Sequence, residues 1–245
     1  MNTTFESVRT YVEEVSEAIR RDDLSVRARH GAWSPEEIMR YTAVQRAICT
    51  VWPAFLGAAA HRLSDWPAMK QALLDNAACE VGIPSGGVGH VTMAHEFCAS
   101  LGLSVAEMGL WVNDPMAQRS VAGMTRLVFD SPAKVLSYIW ANESYATVMF
   151  ASFLPMFEQV SGCNVRYMRE HVEVDGDTHA PALEVGVREM LVTGAALSDV
   201  LAGVEDAGRG RMLYLHYIRT GEIRESWVRS EIDTHLAREY VSVGI

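Results

Sequence analysis

Helix-start signals recur along this chain while strand signals are nearly absent, and that asymmetry limits what it can fold into. Ser34-Pro35-Glu36-Glu37, Asp114-Pro115 and Ser131-Pro132 each set a side-chain acceptor ahead of a proline, which is well tolerated at a first helical position. Ser104-Val-Ala-Glu107 reads as a further capping box. Behind these starts, apolar residues repeat at helical rather than alternating intervals, as in Ile38, Tyr41, Val44, Ile48, Val51 or Val135, Ile139, Trp140, Ala146, Met149, Phe150, Phe153. The pattern predicts helices over 3–21, 35–49, 53–64, 66–79, 88–102, 105–112, 115–128, 132–160, 164–179, 181–202, 207–219 and 221–242. The expected fold is an all-α bundle with short connections.

No repeat of fixed period points to a solenoid, and no low-complexity linker divides the chain, so one domain over residues 1–245 is expected. The net charge of -10 leaves no basic stripe for phosphate backbones or anionic lipids, which argues against nucleic acid or a membrane as partner. The N-terminus lacks the basic and apolar stretches of a secretory signal, and no segment is apolar for the length of a membrane span. A cytoplasmic protein is expected. Cys49, Cys79, Cys98 and Cys163 show neither zinc-site nor disulfide spacing and read as reduced, mostly buried thiols.

The residues that carry chemistry begin with His171-Val-Glu-Val-Asp175-Gly-Asp-Thr-His179. On a helix turning roughly 100° per residue, His171, Asp175 and His179 fall within about 80° of one another, while Glu173 and Asp177 point elsewhere. Alone, the three also fit a surface helix with favourable four-residue pairing. Two further segments add to them. Glu80 closes one predicted helix and His90 opens the next, and the turn between them, Gly82-Ile-Pro-Ser-Gly-Gly-Val-Gly89, would let the two side chains converge. That turn is no phosphate loop, because no strand precedes it and no Gly-Lys-Ser/Thr follows. Glu143 lies in an aromatic and methionine-rich helix, where a lone buried carboxylate is costly unless paired or metal-bound.

Four segments together resemble a known family. They are Tyr41-Thr-Ala-Val-Gln45 through Trp52-Pro53-Ala-Phe55; Glu80 and His90 ahead of Leu101-Gly102-Leu103; Tyr138-Ile-Trp-Ala-Asn-Glu143; and the His171, Asp175, His179 series. On these the chain is similar to the haem-oxygenase-like non-haem di-iron oxidases and oxygenases, relatives of the thiaminase and pyrroloquinoline quinone biosynthesis folds. The resemblance implies a single haem-oxygenase-like helical bundle in which Glu80, His90, Glu143, His171, Asp175 and His179 hold two Fe(II) ions. His95 and Glu158 stay open as replacements for ligands in the second and third segments. Gly176 makes His179 the least secure member of its series.

The resemblance further implies an enzyme that uses O2 to oxidise a small biosynthetic substrate, by desaturation, carbon–carbon cleavage, nitrile formation or N-oxygenation. An amino acid or derivative is the expected substrate, because Tyr138, Trp140 and Tyr145 flank Glu143. Arg188 is the expected partner of a substrate carboxylate, with Arg46 and Arg166 as other candidates. A metal-free thiaminase-like hydrolase or cofactor-free oxidase of the same fold, and a non-enzymatic binding protein, are the alternatives. Homodimerisation is a further expectation.

Overall fold

In the computed structural model, residues 3–224 are described, apart from 84–85, 105 and 107–109 and apart from the side chains at 3, 4, 110, 111 and 175. Every regular element among them is helical: α1 (Thr3–Arg21), α2 (Asp23–Ala28), α3 (Pro35–His61), α4 (Pro67–Glu80), α5 (His90–Ser100), a 3₁₀ turn (Leu110–Asn113), α6 (Pro115–Leu127), α7 (Pro132–Glu158), α8 (Arg166–Glu170), a π-helical segment (His171–His179), α9 (Ala180–Val192) and α10 (Leu197–Thr220). The sequence-read caps form as chemistry requires. Ser34 and Glu37 exchange hydrogen bonds with each other's backbone N–H, Asp114 accepts from Ala117 N, and Ser131 accepts from Lys134 N. The box at Ser104–Glu107 and the helix expected at 221–242 lie largely outside the described residues.

α7 is the central element. α1, α2, α9, α10 and the π-helical segment all pack on it, and α3 gathers α4, α5 and α6 on the other side. Their facing side chains form one aromatic-rich cluster in which Phe153 lies edge-on to Trp33 at 4.6 Å and to Tyr41 at 5.6 Å between ring centroids. α7 and α10 approach closely because Gly203 has no side chain. A Cβ there would stand 2.3 Å from the Lys134 carbonyl oxygen and 2.1 Å from Ser137 Oγ. Among the described residues, no helix is long and apolar enough to cross a membrane.

Three boundaries differ from expectation. The two helices placed at 35–49 and 53–64 are one, α3, with Pro53 inside it. Proline forfeits one backbone hydrogen bond, and the buried Trp52, Phe55 and Leu56 around it hold the helix together through packing. The break expected between 202 and 207 is absent, and the chain turns instead through Gly194, whose φ of 100° is open to glycine. Over 164–179 the single predicted helix is a short α turn that widens into the π-helical segment, which runs into α9 with Pro181 in its first turn.

Candidate metal centre

Two glycines explain how the ends of α4 and α5 meet. Gly82 turns the chain with φ of 82°, and a Cβ on it would lie 2.4 Å from Gly89 N, while one on Gly89 would lie 2.7 Å from the Glu80 carbonyl oxygen. The two strands of the turn thus pass backbone to backbone, closed by a 2.8 Å bond from Gly87 N to Gly82 O. This closure sets Glu80, the last residue of α4, beside His90, the first of α5, with Oε2 and Nδ1 2.8 Å apart. Both are buried, at 3% and 2% exposure.

The π-helical segment brings the third group. Its wider turn, bonded i to i+5, makes a four-residue step fall short of a full turn, so His171 and His179 keep to one side despite the change of helix type. His171 Nδ1 lies 2.8 Å from the Tyr167 carbonyl oxygen, so a proton on Nδ1 donates there and the lone pair of Nε2 faces away. One ligand atom each from Glu80, His90 and His171 falls within 4.8 Å of the others. Burial, then the neighbouring His90, hold the His171 pKa well below the usual 6.5, so its imidazole is neutral. His179 is buried as well. Its pKa is lowered by burial against the opposing pull of Glu143 and Glu80, which puts it in the field of the same carboxylates.

Glu143 enters from the middle of α7. Trp52 Nε1 on α3 and Asn76 Nδ2 on α4 both donate to its Oε1, at 3.1 and 2.8 Å. Glu80, Glu143 and His171 line a common cavity of about 900 Å³, a volume suited to a small organic molecule. Phe150 and Tyr167 pack their rings on His171, with centroids at 4.4 and 4.5 Å, and line the cavity beside it.

The other candidates are placed less uniformly. The side chain of Asp175 lies outside the described residues. His95 is half-buried near Arg46, and Glu158 is exposed and ion-paired with Arg169 at 2.6 Å, so neither joins the cluster. Tyr138 lines the cavity. Trp140 does not: two residues from Asn142 it points roughly 160° away around α7 and stacks on Phe5. Tyr145 is buried in the core, within the field of Tyr11 on α1, and Arg188 lies on the surface over the Phe5 ring at 4.5 Å, paired with Glu184. These three, expected beside a substrate, thus lie off the cavity lining, on helix faces turned toward α1 and solvent.

Sequence reasoning missed Asn76, Tyr167 and Arg211. The first two were within reach, each lying four residues before a candidate ligand on the same helical face, Asn76 before Glu80 and Tyr167 before His171. Arg211 carried no local signal.

The donor set suits a cation such as iron: carboxylate oxygen for charge and neutral imidazole nitrogen for affinity. Glu80 Oε2 adds a specific observation. It is buried 2.8 Å from His90 Nδ1 yet receives no hydrogen bond among the described residues, as expected of a carboxylate oxygen turned toward a positive centre.

Comparison with known proteins agrees. Among solved structures, the chain is similar to a TenA homologue from Pseudomonas syringae, with a TM-score of 0.69 and 12% identity, covering 87% of this chain and 91% of that one. A CADD-like protein of unknown function from Nostoc punctiforme gives a TM-score of 0.66 at 15% identity, over 89% of this chain and 100% of that one. A domain of unknown function with a heme oxygenase-like fold from Shewanella denitrificans gives 0.67 at 14%, over 88% and 92%. These likenesses show the fold, an all-helical haem-oxygenase-like one. Envelope glycoprotein K of Suid herpesvirus 1 (strain Kaplan) shares 32% identity over 141 residues, 53% of this chain, and the chain spans 41% of that protein's length. The family model described as iron-containing redox enzyme matches residues 40–209, a span that holds every residue of the cluster. The chain belongs to that family of iron-containing redox enzymes.

Proposed function

We propose that the protein is an O2-dependent non-haem iron oxidase or oxygenase that binds two Fe(II) ions and acts on a small biosynthetic substrate, an amino acid or derivative. The observation that carries the reading is the buried Glu80, His90, His171 group, with ligand atoms within 4.8 Å of one another, in a chain of an iron-containing redox family. One ion would be held by these three residues. The second would be held by Glu143 and His179, with Asp175 of the same series. When bound, iron supplies reducing equivalents for O2 and Lewis acidity beside the bond to be oxidised.

The chain's own residues do the rest. Glu80 and Glu143 offset the cationic charge. His171, held neutral by burial, offers Nε2 without first losing a proton, and its Nδ1–H is steered by the Tyr167 carbonyl. Trp52 and Asn76 fix the Glu143 carboxylate, so that it does not swing when a cation arrives or leaves. The aromatic rings of Phe150 and Tyr167 pack on His171 and give the 900 Å³ cavity that receives the substrate an apolar wall beside the cluster.

Anaerobic Fe(II) titration followed by O2 exposure tests this reading. Two irons per chain and O2 uptake that depends on iron are expected. Replacing His171 by Ala should remove iron while the helical circular dichroism persists, since the aromatic core and not the cluster holds the bundle together. No iron uptake by the unaltered protein would move the weight to a metal-free hydrolase of the same fold.

A further inference from the structure

Arg211 is a guanidinium sunk into the cavity wall. α10 leaves it 8% exposed, on the lining shared by Tyr138, Asn142 and Glu143. Its hydrogen bonds run from Nη1 to Met149 Sδ at 3.4 Å, and from Nη2 to the Asn142 carbonyl oxygen at 3.5 Å and to Asn142 Oδ1 at 3.2 Å. All three acceptors are neutral, and the two contacts to oxygen are long for a charged donor. Among the described residues no carboxylate pairs with it, whereas Arg27 meets Glu37, Arg209 meets Asp206 and Arg219 meets Asp22. A cation taken out of water without an anion is costly, and burial pulls the Arg211 pKa down, opposed by Tyr214, Tyr138 and Tyr41 and least by Glu143.

The position matters as much as the missing partner. Asn142 and Met149 bracket Glu143 and Ala146 on α7, so the guanidinium stands beside the stretch that carries the candidate metal ligand. We propose that Arg211 is the anchor for the carboxylate of a small carboxylic acid, whose apolar or aromatic body fills the remaining cavity. A planar guanidinium presents paired N–H groups that match a carboxylate edge to edge. Ile48, Met124, Leu127 and Leu213 supply apolar wall for the body of such a molecule. The Glu143 carboxylate on the same wall disfavours a dianion more than a monoanion, so a carboxylate fits better there than a phosphate. The inference rests on the reading of this cavity as the active site, and an amino acid is one molecule of the class it names.

Calorimetric titration of the purified full chain with 3-phenylpropionate and octanoate, each against its neutral amide and against phenyl phosphate, tests the anchor. At least one acid should bind about tenfold or more tightly than its amide. Arg211→Gln should erase that preference, and Arg211→Lys should keep part of it. Equal binding of acid and amide, no binding of either acid, or tighter binding of phenyl phosphate by the unaltered chain would each overturn the proposal. The acid–amide comparison needs no variant, so a misfolded Arg211→Gln does not spoil it. Iron content, measured in parallel, separates the two readings: acid preference lost in Arg211→Gln without iron uptake by any form keeps the anchor and ends the oxidase. Iron uptake without acid preference does the reverse.

Discussion

Asn76 and Trp52 illustrate what single side chains contribute to this site. Each spends its donor on the same oxygen of Glu143, and neither is itself a candidate ligand. Replacing Asn76 by Leu keeps the volume and removes one donor. Fe(II) affinity should fall about 10- to 100-fold while the melting temperature changes little, which equilibrium metal titration and a thermal scan would show together. The histidines give a second expectation at this scale. His171 and His179 are neutral when folded, with pKa values lowered chiefly by burial, and regain an ordinary value near 6.5 when the chain unfolds. Below 6.5 the unfolded chain therefore binds more protons, so the stability present above 6.5 is lost as pH falls toward the folded-state values. The metal-free protein should melt at a lower temperature at about pH 5.5 than at about pH 7.5, and His179→Gln should narrow the difference. A flat profile would show that these imidazoles are not buried and neutral.

At the scale of elements, glycines decide where helices can meet. Gly203 lets α10 lie against the α7 backbone at Lys134 and Ser137. Alanine there must push the two helices apart or displace Ser137, at a cost of roughly 1–3 kcal/mol, visible as a lower midpoint in urea. Because α10 also carries Arg211, the same variant should loosen the cavity wall. Gly82 works differently: its positive φ and its contact with Gly89 close the turn that joins Glu80 to His90. Gly82→Ala should weaken iron binding far more than it lowers the melting temperature, since the strain falls on the turn next to the cluster and outside the aromatic core. Of the elements themselves, the capped and periodic ones were legible, because capping and amphipathicity are local properties of Ser34, Asp114, Ser131 and the residues after them. The uninterrupted α3 was not, since Pro53 reads locally as a break and only the packing of Trp52 and Phe55 overrules it. The π-helical segment was not legible either. Its i to i+5 bonding has no sequence signature here beyond Gly176, whose bare Cα faces Thr147 of α7.

At the scale of the whole molecule, stability resides in the aromatic cluster gathered around α7, which continues through Phe97 and Tyr167 to His171. Phe153→Ala would empty the space between Trp33 and Tyr41 and should cost about 3–5 kcal/mol, measured by thermal or denaturant unfolding with iron present or absent. The sequence by itself determined the all-helical class and the starts of the main helices, because each depends on spacing within one segment, and it offered the candidate oxygen and nitrogen donors. Only the tertiary structure decided which donors converge and which side chains face the cavity. The Gly82–Gly89 contact brings Glu80 to His90. The π-helical turn carries His171 to both. The rotation of α7 sends Tyr138 into the cavity and Trp140 out of it. Arg211 belongs wholly to this second category: nothing near it in the chain marks it, and its significance comes from being buried on the cavity wall with no ion-pair partner among the described residues once α10 has packed against α7.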